Sequence, residues 1–131
     1  GMPATDKAID IHNAGDFRDT SIDEIRAAKD AAGLDNLHLV QGLFDQTTPE
    51  VIAECKSVAL VHIDCDIYHP ALYAFEAVKT AMVGGGYIIF DDATEASCLG
   101  ATQAVEDLIE KYGLRSEQIY PHFVFRYPVL L

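Results

Sequence analysis

Val58-Ala59-Leu60-Val61-His62-Ile63-Asp64-Cys65-Asp66, followed one helix later by Gly84-Gly85-Gly86-Tyr87-Ile88-Ile89-Phe90-Asp91-Asp92, is the stretch that decides how this chain folds. Val58–Ile63 and Tyr87–Phe90 are near-continuous apolar runs rather than alternating ones, the pattern of strands covered on both faces in a sheet's interior. Each run ends in acids. Between them, Leu72, Phe75, Val78 and Met82 recur at helical spacing, with Glu76 and Lys79 flanking the stripe. This predicts an amphipathic crossover helix over 68–82, stopped by the three glycines. A right-handed crossover makes the two strands parallel neighbours.

Working outward, residues 1–20 mix Pro, Asp, Asn and Gly without periodicity and read as an irregular lead-in. Ser21 with Glu24 forms a capping box, Ile22, Ile25, Ala28 and Ala32 follow at helical spacing, and Gly33 ends the helix. Leu37 to Phe44 reads as a strand. Thr48 before Pro49 is an N-cap with proline at the first helical position, opening a short helix to about Cys55. Downstream, Val105, Leu108, Ile109 and Tyr112 mark a helix from about Leu99 to Tyr112, stopped by Gly113. Gln118–Tyr120 and Phe123–Tyr127 read as two short strands around Pro121-His122, forming an antiparallel hairpin. Strand, helix, strand, helix and closing hairpin predict one α/β domain over residues 1–131.

The chain holds 131 residues, half of them hydrophobic, enough for one modest core. With 9 basic against 21 acidic residues the net charge is −12, so phosphate polyanions are repelled and nucleic acid is excluded as a partner. No apolar run approaches the roughly 20 residues that span a bilayer. No secretory leader opens the chain, and it reads as a soluble cytoplasmic protein. Cys55, Cys65 and Cys98 have no paired close spacing, so neither a disulfide framework nor a zinc site is signalled.

In a parallel sheet with helical crossovers, ligands sit beyond the carboxyl ends of the strands. Asp64 and Asp66 close the first strand, and Asp91 and Asp92 the second. Four carboxylates gathered there repel one another unless a cation neutralises them. All-oxygen ligands favour magnesium, calcium or manganese over zinc, and a few carboxylates with waters and substrate oxygens suit octahedral magnesium. Acids at strand ends also start turns and cap helices, but two acidic pairs in a repeated unit favour the metal. His62 and His69 are weaker candidates for a base than Asp66: the first reads as a packed strand residue, the second as a turn residue before proline.

These two acidic motifs resemble the macrocin O-methyltransferase family, magnesium-dependent enzymes of the S-adenosylmethionine-dependent class that methylate sugar or macrolide hydroxyls. Phe17–Ser21 and Val40-Gln41-Gly42-Leu43-Phe44, with Thr47 or Thr48, are also similar to it. The resemblance implies an incomplete Rossmann-like methyltransferase sheet, mostly parallel with a C-terminal antiparallel hairpin and helices on both faces. It implies magnesium on Asp64, Asp91 and Asp92, with Asp66 as the general base that takes the substrate hydroxyl proton. Gly42, Leu43 and Phe44, at the adenine pocket, with Asp64, are implied on the S-adenosylmethionine side, although a plain strand end and turn explains Gly42–Phe44 nearly as well.

Such enzymes open with a strand, a glycine-rich turn and a helix, and nothing of that kind precedes Phe17. The glycines at 84 to 86 do not substitute, because they lead into a strand rather than out of one. The chain thus reads as the C-terminal half of a methyltransferase domain, a truncated or reduced member that binds S-adenosylmethionine poorly and is inactive alone. The alternative is a non-catalytic divalent-metal-binding or interaction module of the same ancestry. In the usual sheet two further strands lie between Leu37–Phe44 and Val58–Asp64. Without them the exposed edges predict a homodimer, or a sheet in which the early strand moves inward.

Overall fold

Helical periodicity and strand runs become, in the computed structural model, four helices and a four-stranded sheet; it describes residues 1–5 and 7–127. In chain order these are α1 (Ile22–Ala31), α2 (Phe44–Cys55), β1 (Val58–Ile63), α3 (Tyr68–Val78) and β2 (Met82–Phe90). A 3-10 turn (Asp92–Thr94), α4 (Leu99–Tyr112), β3 (Ser116–Gln118) and β4 (Phe123–Arg126) follow. The sheet runs β1-β2-β4-β3. β1 and β2 are parallel, joined by α3, and the β3–β4 hairpin adds antiparallel to β2. The fold is therefore an open α/β sheet flanked by helices, an incomplete Rossmann-like methyltransferase sheet with a C-terminal antiparallel hairpin. No helix among the described residues is long and apolar enough to cross a membrane.

The core forms where the periodic stripes meet. Phe75 of α3, Phe90 of β2, Val105 and Leu108 of α4 and Phe125 of β4 are almost completely buried. Phe90 stacks near Phe75 at 6.4 Å and meets Phe125 edge-on at 6.0 Å, the offset and T-shaped arrangements that aromatic quadrupoles favour. Glu76 of α3 anchors α4 from the rim, accepting from Lys111 at 2.7 Å and from the Tyr112 hydroxyl at 2.6 Å, and also from Lys79.

Several sequence expectations are corrected. Residues 37–43 form no strand, and Phe44 begins α2. The apolar run has no ladder partner among the described residues, and an extended segment without one has nowhere to place its backbone hydrogen bonds. α2 starts four residues ahead of Thr48, with Pro49 inside it. Gly42 permits that start: an added Cβ would lie 2.5 Å from Thr47 Cγ2, whose hydroxyl donates to the Leu43 carbonyl at 3.0 Å. Ser21 precedes α1 but makes no side-chain cap bond. Gly33 does close that helix, at φ +64, with its N–H on the Asp30 carbonyl and that of Leu34 on Lys29, a Schellman arrangement.

The glycine run belongs to β2 rather than to the stop of α3, which ends at Val78. Val58 pairs with Met82 but Leu60 with Tyr87, so β2 bulges through Gly84–Gly86. Gly86 is required there, since a Cβ would stand 2.8 Å from the Ala59 carbonyl oxygen. β1 is also not covered on both faces: it lies at the sheet edge, and Leu60 is 61% exposed.

Candidate functional site

β1 and β2 end level with one another. Ile63 pairs with Phe90, and the Asp91 N–H continues the ladder onto the Ile63 carbonyl at 2.9 Å. Asp64 is therefore set beside Asp91 and Asp92, and the three offer carboxylate oxygens that all lie within 4.8 Å of one another. Asp92 is the buried acid among the described residues, 8% exposed. Its Oδ2 accepts the backbone N–H of both Cys65 and Asp66 at 3.0 Å, so it holds the turn that leaves β1. Asp66 takes up a left-handed conformation in that turn, φ +58. Such conformations are costly for most residues other than glycine, though Asn and Asp tolerate them better than most, and the two hydrogen bonds to Asp92 hold this one in place.

The site pushes its own acids toward the protonated state. Burial, then the charges of Asp92, Asp91 and Asp66, raise the Asp64 carboxyl above the ordinary range. Burial and the charge of Asp92 raise Asp66. Repelling carboxylates with only oxygen donors fit a hard divalent cation such as magnesium, which would relieve the repulsion.

Two histidines, His62 and a His122 that the sequence places only in a turn between strands, complete the surroundings of Asp91. His62 Nε2 lies 3.0 Å from Asp91 Oδ1 and His122 Nδ1 3.2 Å from the same atom. His122 Nδ1 is also 3.0 Å from the Asp91 carbonyl oxygen. The signal for His122 lay in strand pairing: once Phe90 is set opposite Phe123, His122 falls beside Asp91.

The lead-in also reaches this region. Asp10 Oδ1 accepts the N–H of Tyr68, the first residue of α3, at 3.0 Å, and Oδ2 accepts the Thr5 hydroxyl at 2.5 Å. The N-cap residue of α3, Ile67, has no side chain able to cap, so an acid 58 positions before Tyr68 does it. Gly100 makes the approach possible, because a Cβ there would sit 1.6 Å from Asp10 Oδ1. His12, two residues on, reaches Cys98 and lies with it beside Asp66.

Gly42, Leu43 and Phe44 stand apart from the aspartates. Leu43 and Phe44 line a cavity of about 870 Å³ walled also by Ile67, His69, Leu72 and Tyr73. None of the four aspartates lines it, although Ile67 and His69 place one wall directly after Asp66 in the chain. Both strand-to-helix connections in the described sheet, 64–67 and 91–98, are acidic and contain no glycine.

A family model described as macrocin-O-methyltransferase (TylF) matches residues 1–119. The chain is similar to a curated enzyme of Streptomyces olivaceus, 8-demethyl-8-(2,3-dimethoxy-alpha-L-rhamnosyl)-tetracenomycin-C 4'-O-methyltransferase, at 27% identity over 123 residues, 87% of this chain and 45% of that enzyme. Among solved structures, apo CalS11, a TDP-rhamnose 3'-O-methyltransferase of calicheamicin biosynthesis, superposes with a TM-score of 0.64 at 22% identity, covering 80% of this chain and 52% of that one. The O-methyltransferase NovP superposes with a TM-score of 0.66 at 21% identity, covering 84% and 46%. The chain thus spans about half the length of the relatives it matches. The expectation of a resemblance confined to the C-terminal half of the family is overturned, because the match begins at residue 1. The lead-in that capping by Asp10 ties to α3 lies inside it.

Proposed function

Because the chain belongs to the macrocin-O-methyltransferase family, we propose that it carries the metal-binding and acceptor-activating residues of a magnesium-dependent O-methyltransferase acting on a sugar hydroxyl. The observation that carries this reading is the convergence of Asp64, Asp91 and Asp92 at the ends of two parallel strands, with Asp66 on the adjoining turn. The sugar as acceptor is supported by the relatives, whose names specify methylation on rhamnose.

Asp64, Asp91 and Asp92 would hold the ion, which supplies positive charge to orient an acceptor hydroxyl and lower its pKa. His62 and His122 hold Asp91 in place through their ring nitrogens. Asp92 fixes the turn so that Asp66 stays beside the cluster. Asp66, on the turn beside the cluster, takes the hydroxyl proton on a carboxylate oxygen. S-Adenosylmethionine is the methyl donor that the family implies. Leu43 and Phe44 would face its adenine across the cavity, with Gly42 shaping the turn behind them. No glycine-rich turn follows a strand among the described residues to hold the rest of it.

Three free cysteines are in keeping with a cytoplasmic setting. The open edge of β1 supports a homodimer.

The test is methyl transfer from S-adenosylmethionine to TDP-rhamnose by the full chain. Transfer should require magnesium and fall at least about 100-fold in Asp66→Asn, the scale of a lost general base. Transfer untouched by chelator or by Asp66→Asn would overturn the reading. Magnesium binding without transfer would favour the second reading, a non-catalytic metal-binding module, for which the glycine-free turns speak.

A further inference from the structure

The cluster formed by His12, Asp66 and Cys98 has a different chemistry from the all-carboxylate one. Three segments far apart in the chain deliver one nitrogen, one oxygen and one sulfur donor within 4.8 Å of one another. Cys98 Sγ lies 3.4 Å from Asp66 Oδ1 and 3.8 Å from His12 Nε2. In tetrahedral coordination, bonds of about 2.3 Å to sulfur and about 2.0–2.1 Å to nitrogen and oxygen set neighbouring donors roughly 3.3–3.6 Å apart. The two separations from sulfur lie close to that spacing, and the nitrogen–oxygen pair lies within 4.8 Å.

We propose that His12, Asp66 and Cys98 form a second cation site, of the zinc class, with a fourth position left for water or a ligand. The donor set is wrong for magnesium, which avoids thiolate and imidazole, and right for a borderline-soft ion. The surroundings are those of a supported ligand set. His12 Nδ1 faces Asp16 Oδ2 at 3.8 Å, the outer carboxylate that commonly orients a metal-bound imidazole. Cys98 is 4% exposed and sits at the N-cap of the 14-residue α4; burial raises its thiol to about 11, so an ion that binds there displaces the thiol proton. Asp66 is held from behind by its N–H on Asp92. The site stands independently of the methyltransferase reading, but the two share Asp66: an ion on its carboxylate occupies the oxygen that would take a proton. A zinc-class ion would therefore silence the base.

The experiment uses the full chain, stripped with chelator and held in excess magnesium so that the carboxylate cluster is satisfied, then titrated with Co²⁺ and back-titrated with Zn²⁺. One equivalent of cobalt should give a near-ultraviolet thiolate-to-metal band with intense tetrahedral visible bands, both removed by one equivalent of zinc. Cys98→Ser and His12→Ala should each abolish the band, while Asp64→Asn keeps it. Asp16→Asn should weaken cobalt about 10-fold, the scale of a lost outer partner. If Cys98→Ser fails to fold by circular dichroism, His12→Ala decides, since His12 lies on the lead-in outside the core. Absence of a thiolate band, or a band that survives His12→Ala, leaves only a hydrogen-bonded trio and overturns the proposal.

Discussion

Residues 1–57, whose regular structure is α1 and α2 alone, and residues 58–127, which hold the whole sheet with α3 and α4, are held together differently. Every buried residue among those described lies at or after Ile63; α1 and α2 bury none. Ile11, Phe17, Ile25, Leu37, Val40 and Phe44 are each at least 40% exposed in the first part, whereas Phe75, Phe90, Leu108 and Phe125 are sealed in the second. The second part carries the core and the strand ends that set the aspartates. The first reaches that site through directional polar contacts, Asp10 on Tyr68 and His12 on Cys98. Apolar burial thus fixes the frame, and hydrogen bonds steer the lead-in onto it.

The contrast can be broken most directly by truncating one side chain from each part. Leu108→Ala should cost about 2–5 kcal/mol in denaturant unfolding, because it leaves a cavity in a filled core, while Ile25→Ala should stay within about 0.5 kcal/mol. A large, concentration-dependent cost at Ile25 would mean that a second copy covers α1. The polar tether is worth less. Asp10→Ala should cost about 1 kcal/mol, the scale of a lost helix cap, and Gly100→Ala should cost a similar amount by expelling the same carboxylate. The double variant should cost no more than the larger single, because both remove one contact; full additivity would separate them.

A pH-dependent effect sits at the rim of the core. Burial works to raise the Glu76 carboxyl, but hydrogen bonds from Lys111, Lys79 and Tyr112 outweigh it and bring the pKa down to about 2 from 4.5. A depressed folded pKa stabilises the protein above the unfolded value, so the advantage over Glu76→Gln should be present above pH 4.5 and disappear as pH falls toward 2. Since both lysines are partly solvated, we expect no more than about 1 kcal/mol. A difference that persists unchanged at pH 2 would show that the charge is irrelevant.

What the sequence makes legible is what local periodicity encodes. α4 falls where Val105, Leu108 and Tyr112 place it, and β1 and β2 end in acids as their apolar runs imply. Leu37–Phe44 misleads because an apolar run specifies a strand only when a neighbour supplies the ladder. The run of Gly84–Gly86 reads as a helix stop, yet it lies in β2, where Gly86 allows a close approach to Ala59. At the site, Asp64, Asp91 and Asp92 are found by proximity to strand ends. His122 requires the β2–β4 register, and His12 with Cys98 requires a contact across 86 positions that no spacing rule reaches.

The central claim is that Asp64, Asp91 and Asp92 share one hard cation. Thermal melting of the full chain across a magnesium titration tests it: at a hundredfold excess over Kd the stabilisation should reach roughly 2.7 kcal/mol, raising Tm by several degrees. Asp64→Asn and Asp91→Asn should melt at the same temperature with and without magnesium. A wild-type Tm indifferent to magnesium, or variants that respond as the wild type does, would contradict the account.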